Sequence, residues 1–182
     1  MPSRDPLSDP AGAVRRVYSY VAYRLGDGPD AEDVTSSVIE RALRYRSSYD
    51  KRRGKPESWL LGIARTCVDD ALRQRASRTD PLDETVADGE VESDALERLA
   101  VGGAVARLDA RDRELIALRY GADLSTREIA AVLDMKPNAV DVALHRCRAR
   151  LRGELEATGY GDGEGKLSQA QGVSAVTPHP TP

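Results

Sequence analysis

The chain has few of the residues from which catalytic and metal sites are usually built. Its 182 residues include two histidines, two cysteines and no phenylalanine. His145 lies in a basic segment and His179 near the C-terminus, so the two do not form a catalytic pair or a metal cluster. We therefore predict that the protein is not an enzyme and that it binds no metal and no cofactor.

The two cysteines, Cys67 and Cys147, both fall on apolar stripes with helical spacing. A cysteine in such a stripe is more often a small core residue than half of a disulfide or a metal ligand. We predict two buried thiols, and a redox role is the less favoured alternative.

Long apolar runs are also missing. No stretch approaches the roughly 18 to 20 apolar residues that a helix needs to span a membrane. The first five residues lack the apolar segment of a secretion signal. These absences predict a cytoplasmic protein without membrane insertion. Patterns typical of β-strands are nearly absent, so the predicted fold class is all-α.

What the sequence does contain is an uneven distribution of charge. The whole chain has a formal net charge of −3, yet residues 79–98 carry eight acidic residues and one basic residue. Such a segment, with few large apolar groups, predicts a flexible acidic linker between two small helical domains. The predicted organisation is a flexible N-terminus over 1–12, a helical domain over 13–78, the linker over 79–98, a second helical domain over 99–156, and a disordered tail over 157–182.

Three helices are predicted in the first domain. The first has apolar residues at helical spacing from Val14 to Leu25, and the second begins after Pro29 with acidic residues in its first turn. The third begins near Pro56 and ends among arginines. Residues 51–78 have a net charge of +5, which makes this part of the domain basic.

The segment from Leu124 to Leu155 has the pattern of a helix, a tight turn and a second, arginine-rich helix. Ser125 and Glu128 fit a capping box at the start of the first helix. Pro137 fits the first turn of the second helix, where its missing N–H has no partner to lose. Spacings of four, three and four then place one apolar stripe on the buried side of the second helix: Val140, Leu144, Cys147 and Leu151.

The outward face of this second helix is basic. Residues 136–152 have a net charge of +4 in a chain that is acidic overall. Positive charge concentrated in this way is what contact with phosphates requires, so the pattern predicts a DNA-reading helix-turn-helix. The alternative is an ordinary helical hairpin with a solvated basic face.

With these motifs together, the chain resembles the bacterial sigma-70 family of RNA polymerase sigma factors, in the two-domain extracytoplasmic-function class, over about residues 13–154. The motifs that carry the resemblance are Asp30-Ala-Glu-Asp-Val34, Arg53-Gly54, the run Ser58-Trp59-Leu60-Leu61-Gly62-Ile63-Ala64-Arg65 with Asp70 and Leu72-Arg73, and the unit from Leu108 to Leu151. The resemblance implies a region 2-like bundle and a region 4-like helix-turn-helix. It also implies a transcription initiation factor that binds core RNA polymerase and recognises and melts promoter DNA.

The resemblance assigns three groups of residues. Those implied to bind the clamp of the largest polymerase subunit are Asp30, Glu32, Asp33, Ser36, Ser37, Glu40 and Arg41. Those implied to bind the minus-ten element are Arg52, Arg53, Lys55, Trp59, Arg65, Asp70, Arg73 and Arg75, with Trp59 more readily a core residue than a stacking platform. Those implied to bind the minus-thirty-five element are Thr126, Arg127, Lys136, Asn138, Asp141, His145, Arg146 and Arg148.

The sequence departs from the family pattern at both predicted binding surfaces. Ser36 and Ser37 replace the usual Gln and Glu, and Asp141 stands where a basic residue is common. These departures motivate one alternative, a sigma-like adaptor that binds polymerase without promoter specificity. A second is a stand-alone helix-turn-helix regulator, although the sequence has no strong coiled-coil heptads to form a dimer. The family also adds an anti-sigma factor as a candidate partner.

Overall fold

The computed structural model describes residues 5–77 and 93–158, apart from the side chains of residues 93–99. All regular structure in these ranges is helical, which confirms the all-α prediction. The elements in chain order are α1 (Pro10–Leu25), α2 (Pro29–Arg44), a 3₁₀ turn (Arg46–Ser48), α3 (Pro56–Ser77), α4 (Ser93–Arg107), α5 (Ala110–Ile116), a π turn (Ala117–Gly121), α6 (Thr126–Leu133) and α7 (Pro137–Ala157).

The helices α1, α2 and α3 form an N-terminal bundle in which each helix packs against the other two. Asp9 caps α1 by accepting a hydrogen bond from the Gly12 N–H at 3.0 Å. The chain leaves α1 through Gly26 and enters α2 through Gly28, at φ of +93° and +132°. Only glycine adopts such angles at little cost, so these two residues fix the short connection between α1 and α2.

The C-terminal bundle consists of α4 to α7. The predicted capping box is present, because the Glu128 carboxylate accepts from the Ser125 N–H at 2.9 Å while the Ser125 hydroxyl accepts from the Glu128 N–H. After α6, Asp134 turns the chain in the left-handed region at φ 53°, and α7 begins at Pro137. The predicted helix-turn-helix is therefore formed.

The apolar stripe of α7 is buried as predicted at Val140, Leu144 and Cys147, whereas Leu151 is only half-buried. Cys67 is buried too, and both cysteines are free thiols. Burial raises the pKa of the Cys147 thiol to about 11, so it stays protonated and behaves as a small apolar core residue.

One hydrophobic core runs through both bundles. It includes Val17 and Tyr20 of the N-terminal bundle together with Leu118, Ile129 and Val140 of the C-terminal bundle, and all five are fully buried. The main contacts across the boundary join α1 to the π turn and α3 to α6. The two helical domains that the sequence predicted thus pack directly on one another.

Two predicted boundaries need correction. Residues 5–12 are part of the N-terminal bundle, because Leu7 enters the core, Asp5 pairs with Arg46, and α1 already begins at Pro10. The predicted linker over 79–98 extends too far, because α4 begins at Ser93. The rest of that linker, the first four residues and the tail beyond residue 158 lie outside the described residues.

Among the described helices, none has both the length and the apolar character to cross a membrane. Within the same residues, no group of three or more His, Cys, Asp or Glu side chains is placed to hold a metal ion.

Candidate nucleic-acid and polymerase interface

The minus-thirty-five residues predicted from the sequence come together on one side of the helix-turn-helix. Helix α7 begins at Pro137. The exposed side chains of its first two turns lie beside the N-terminus of α6. Thr126 is half-buried at that N-terminus. The other predicted residues are exposed: Arg127, Lys136, Asn138, Asp141, His145, Arg146 and Arg148. Val142 is also 51% exposed, on the side of α7 away from its buried stripe.

Asp141, the departure from the family pattern, has a partner in this structure. The Thr126 hydroxyl donates a hydrogen bond to the Asp141 carboxylate at 2.8 Å. This bond joins the start of α6 to the second turn of α7 and holds the carboxylate on the exposed side of α7. An aspartate held there repels phosphate but accepts a hydrogen bond from a cytosine amino group.

Part of the basic charge on α7 is paired within the protein. Arg150 forms a bidentate ion pair with Asp112 of α5, whose side chain is buried. The charge count over 136–152 includes Arg150, and the Asp112 carboxylate offsets this one of its positive charges. The pair fixes α7 against α5 and supports the helix-turn-helix from behind.

The residues predicted for the minus-ten element lie along the loop before α3 and along α3 itself. Arg52, Arg53 and Lys55 are exposed in the loop. Trp59 is half-buried against the main core and makes an edge contact with Tyr49, with ring centroids 5.8 Å apart. This position favours the core role for Trp59 over the stacking role.

Farther along α3, the predicted minus-ten residues are tied to other charged groups. Arg73 donates to Asp70 at 2.9 Å, and Asp70 also pairs with Arg41 of α2 at 3.5 Å. Arg75 pairs with Asp30, at the start of α2, and donates to the Leu25 carbonyl at 3.0 Å. These bonds link the predicted minus-ten and polymerase-binding residues within the N-terminal bundle.

The predicted polymerase-binding residues share one side of α2. Arg41 is half-buried, and the others are exposed: Asp30, Glu32, Asp33, Ser36, Ser37 and Glu40. The Ser36 hydroxyl donates to the Glu32 carbonyl at 3.0 Å, within the helix. Leu43, at the end of the same helix, is 56% exposed, so this side of α2 combines acids with an apolar end.

Sequence reasoning missed a buried charged cluster between the two bundles. The Glu114 carboxylate of α5 accepts a hydrogen bond from the Tyr20 hydroxyl at 2.8 Å and pairs with Arg24, both in α1. Arg65 of α3 lies 3.8 Å from the same carboxylate. Burial, followed by the Glu114 charge, raises the pKa of the Tyr20 hydroxyl above its ordinary range, so tyrosine remains the donor. A signal existed in the sequence, because Arg24 lies on the apolar stripe of α1.

A second charged contact between the bundles involves the capping box. Lys55, a predicted minus-ten residue, lies 2.8 Å from the Glu128 carboxylate of α6. Partial burial raises the pKa of Glu128, but hydrogen bonds from Lys55 and Ser125 lower it more, and the resulting pKa is about 2. The carboxylate is therefore charged at neutral pH.

This low pKa predicts how stability depends on pH. Because the folded-state pKa lies below the ordinary carboxyl value, Glu128 stabilises the fold fully above about pH 4.5 and loses its contribution as the pH falls toward 2. We expect Glu128→Gln to cost about 1 kcal/mol at pH 7, since solvent screens the pair with the exposed lysine. Urea unfolding at pH 7 and pH 3.5 measures this difference, which should shrink at the lower pH. An equal difference at both values would contradict the assignment.

Comparison with known proteins gives matches over both bundles. Residues 13–78 match the family model described as Sigma-70 region 2, and residues 98–151 match the model described as Sigma-70, region 4. The ECF RNA polymerase sigma factor SigK of Mycobacterium sp. (strain KMS) is 32% identical over 151 residues, which cover 77% of this chain and 74% of that protein. The ECF RNA polymerase sigma factor BldN of Streptomyces coelicolor is 32% identical over 138 residues, covering 71% of this chain and 52%, about half, of that protein.

A solved structure has a similar fold. It is the sigma factor RpoE of Bartonella quintana in complex with the anti-sigma factor NepR, and it aligns with a TM-score of 0.66 and 20% sequence identity. The alignment covers 79% of this chain and 92% of the other. At this identity, the similarity concerns the fold.

Proposed function

Since the chain belongs to the sigma-70 family of RNA polymerase sigma factors, in the extracytoplasmic-function class, we propose that it is a transcription initiation factor. It binds core RNA polymerase and directs it to promoters, and it carries no chemistry itself. The observation that carries this function is the presence of both regions in the family order, together with a folded helix-turn-helix. Because promoters and polymerase are in the bacterial cytoplasm, this is where the protein works.

The two bundles divide the work of promoter recognition. The exposed side of α2 binds the clamp of the largest polymerase subunit, and its acids and its apolar end support that role. The basic loop before α3 binds the minus-ten element, where arginine and lysine match the backbone phosphates of the unpaired strand. The first turns of α7 enter the major groove of the minus-thirty-five element and read base edges there.

The structure supports particular roles on α7. Lys136 precedes Pro137, so its charge lies beside the helix N-terminus, where backbone N–H groups also attract phosphate. His145 and Arg146 lie farther along the exposed side of the helix, and Asp141, which precedes them by one turn, is held by Thr126. We assign Lys136 to a phosphate, Arg146 to a base or phosphate, and Asp141 to selection of cytosine.

An anti-sigma factor is the third partner in this proposal. The similar structure from Bartonella quintana is a complex with such a protein. In this chain, an anti-sigma factor would cover the same exposed surfaces that bind polymerase and DNA.

Transcription from purified components tests the function. Core RNA polymerase is combined with the full chain on a library of genomic fragments, and transcript 5′ ends are sequenced. Discrete start sites that share a two-part upstream motif support an initiation factor and give its consensus. Tight polymerase binding without discrete starts would instead identify an adaptor, and DNA binding without polymerase binding would identify a stand-alone regulator.

A further inference from the structure

We propose that Thr126 is a specificity-determining residue of the helix-turn-helix. Its hydroxyl holds the Asp141 carboxylate in one orientation, so that Asp141 selects cytosine at one position of the minus-thirty-five element. Asp141 contacts the base in this scheme, and Thr126 is a positioning residue that acts through Asp141. The inference rests on the proposed function for the identity of the DNA, but the link between the two side chains rests on their geometry.

The two residues come from the two helices of the motif. Thr126 is the first residue of α6, and Asp141 lies in the second turn of α7, 15 positions later in the chain. The Thr126 hydroxyl donates a hydrogen bond to the Oδ1 atom of Asp141 at 2.8 Å. Thr126 is half-buried and Asp141 is exposed. The threonine is therefore the fixed end of the pair, and the carboxylate that it holds stays accessible to DNA.

The motif does not depend on this bond for its formation. Helix α6 is capped by Ser125 and Glu128, without the Thr126 side chain. The two helices are also joined by the hydrophobic core, in which Ile129 of α6 and Val140 of α7 are fully buried. A single exposed hydrogen bond adds little to such packing. Its main effect is therefore on the orientation of the carboxylate.

The bond also determines which groups the pair offers to a base. The hydroxyl hydrogen of Thr126 is donated to Asp141, and no described residue donates to the second carboxylate oxygen, Oδ2. The two side chains thus present acceptors and no free donor. In the major groove, cytosine offers only its N4 amino donor, whereas guanine and thymine offer acceptors in that position, and adenine places its N7 acceptor beside its amino group. Cytosine is therefore the base that fits this pair best.

The neighbours of Asp141 on α7 show why its orientation matters. Asn138 precedes it by three residues and His145 follows it by four, so these exposed side chains share its side of the helix. A carboxylate that is not held can turn toward either of them. Held by Thr126, it loses little rotational freedom when it meets the base, and preorganisation of this kind increases affinity about 3- to 10-fold.

The carboxylate has opposite effects on affinity and on selectivity. Its negative charge repels the phosphates of every DNA sequence, whereas its hydrogen bond favours one base. Loss of Asp141 should therefore strengthen binding to DNA of mixed sequence and remove the preference for cytosine. A residue that only held the motif together would lower affinity and selectivity at the same time when it was lost.

Four full-length variants separate these effects. Asp141→Ala removes the carboxylate, Thr126→Val removes the hydroxyl and keeps the shape of the side chain, and Thr126→Ser keeps a hydroxyl. The fourth variant combines Thr126→Val with Asp141→Ala. Two controls lie elsewhere in the C-terminal bundle: Thr158→Val removes a hydroxyl that is bonded within the end of α7, and Glu154→Gln removes a charge that is paired with Arg107.

Each variant is measured in two ways. The full chain is combined with core RNA polymerase and a library of duplex promoters in which the upstream motif is randomised, and sequencing of the bound DNA gives the base preference at every position. Fluorescence anisotropy gives the affinity of the full chain alone for a labelled duplex of mixed sequence.

We expect the parent chain to prefer cytosine about 10-fold at one position. Asp141→Ala should abolish this preference and strengthen binding to the mixed duplex about 3-fold. Thr126→Val should reduce the preference to about 2- to 3-fold, and Thr126→Ser should retain it. In the double variant, loss of the hydroxyl should change nothing further, because Thr126 acts only through Asp141. Both controls should match the parent chain.

A parent chain with no cytosine-selective position would overturn the inference, as would a preference that survives Asp141→Ala or an equal effect of Thr126→Val in its absence. If circular dichroism shows that Thr126→Val loses helix, Thr126→Ala takes its place. If the chain gives no discrete transcription starts with core polymerase, the proposed function is refuted, and selection from the same library by the full chain alone still decides the inference. Discrete starts without any selection of cytosine refute the inference alone.

Discussion

Replacing Glu114 by alanine should lower the free energy of unfolding of the full chain by about 3 kcal/mol, the cost of leaving a buried charge without its partner. The Arg24 side chain is 5% exposed and pairs with Glu114, while Asp69 lies 3.4 Å away and is far more exposed. The Tyr20 hydroxyl would lose its acceptor at the same time. Urea unfolding followed by circular dichroism measures the change.

The matched control is Glu154→Ala. Glu154 also pairs with an arginine, Arg107 at 2.7 Å, but both side chains are partly exposed. Surface pairs of this kind contribute less than about 1 kcal/mol, so the control should unfold close to the parent. An equal loss in the two variants would mean that Glu114 is no more than a surface charge and that the boundary between the bundles is open to water.

The shape of the unfolding curve carries additional information. The parent chain should unfold in one transition, because one hydrophobic core joins both bundles. Loss of Glu114 weakens the boundary without removing a residue from either bundle's apolar interior, so the two bundles should begin to unfold separately. A broadened or divided transition in Glu114→Ala, but not in Glu154→Ala, is the expected result.

The part of the fold that could be predicted from sequence is the part determined by neighbouring residues. The capping box at Ser125 and Glu128, Pro137 in the first turn of α7 and the spacing from Val140 to Cys147 are all local signals. Each depends on residues within a few helical turns of one another. The helix-turn-helix was therefore predicted as the structure has it.

The packing between the bundles could not be predicted in the same way. Glu114 and Arg24 are 90 positions apart, and no periodicity in either segment relates one to the other. The acidic composition around residue 80 predicts a linker between two domains. Composition does not indicate whether the two domains that the linker joins are in contact. Only the positions of both helices show that their charges meet.

Charge counting does not reveal which basic residues are already paired within the protein. Arg150 counts as +1 on the recognition helix, but it pairs with the buried Asp112, 38 positions earlier in the chain. Arg73 and Arg75 were assigned to phosphates, and each also pairs with an aspartate inside the N-terminal bundle. Among the residues proposed to contact DNA, we therefore test those at the start and middle of the exposed side of α7.

This distinction leads to a prediction for the recognition helix. Arg146→Ala should weaken promoter-dependent transcription by about 10- to 100-fold if Arg146 contacts a base, and the preference at one promoter position should relax. Lys136→Ala should instead weaken binding to all sequences and lower the salt slope by about 0.9. Both variants should bind core polymerase as the parent does, since α2 lies in the other bundle. Transcription on promoter libraries and direct binding to fluorescent core polymerase measure the two properties separately.

A reciprocal variant completes the experiment. Glu40→Ala changes an exposed residue of α2 and leaves α7 untouched, so it should weaken polymerase binding while the promoter preference of the remaining complexes stays the same. If Arg146→Ala and Glu40→Ala reduced both polymerase binding and promoter selection to the same extent, the division of labour between the bundles would be refuted. Opposite patterns in the two variants would assign promoter reading to α7 and polymerase binding to α2, because each variant changes one exposed side chain of a different bundle.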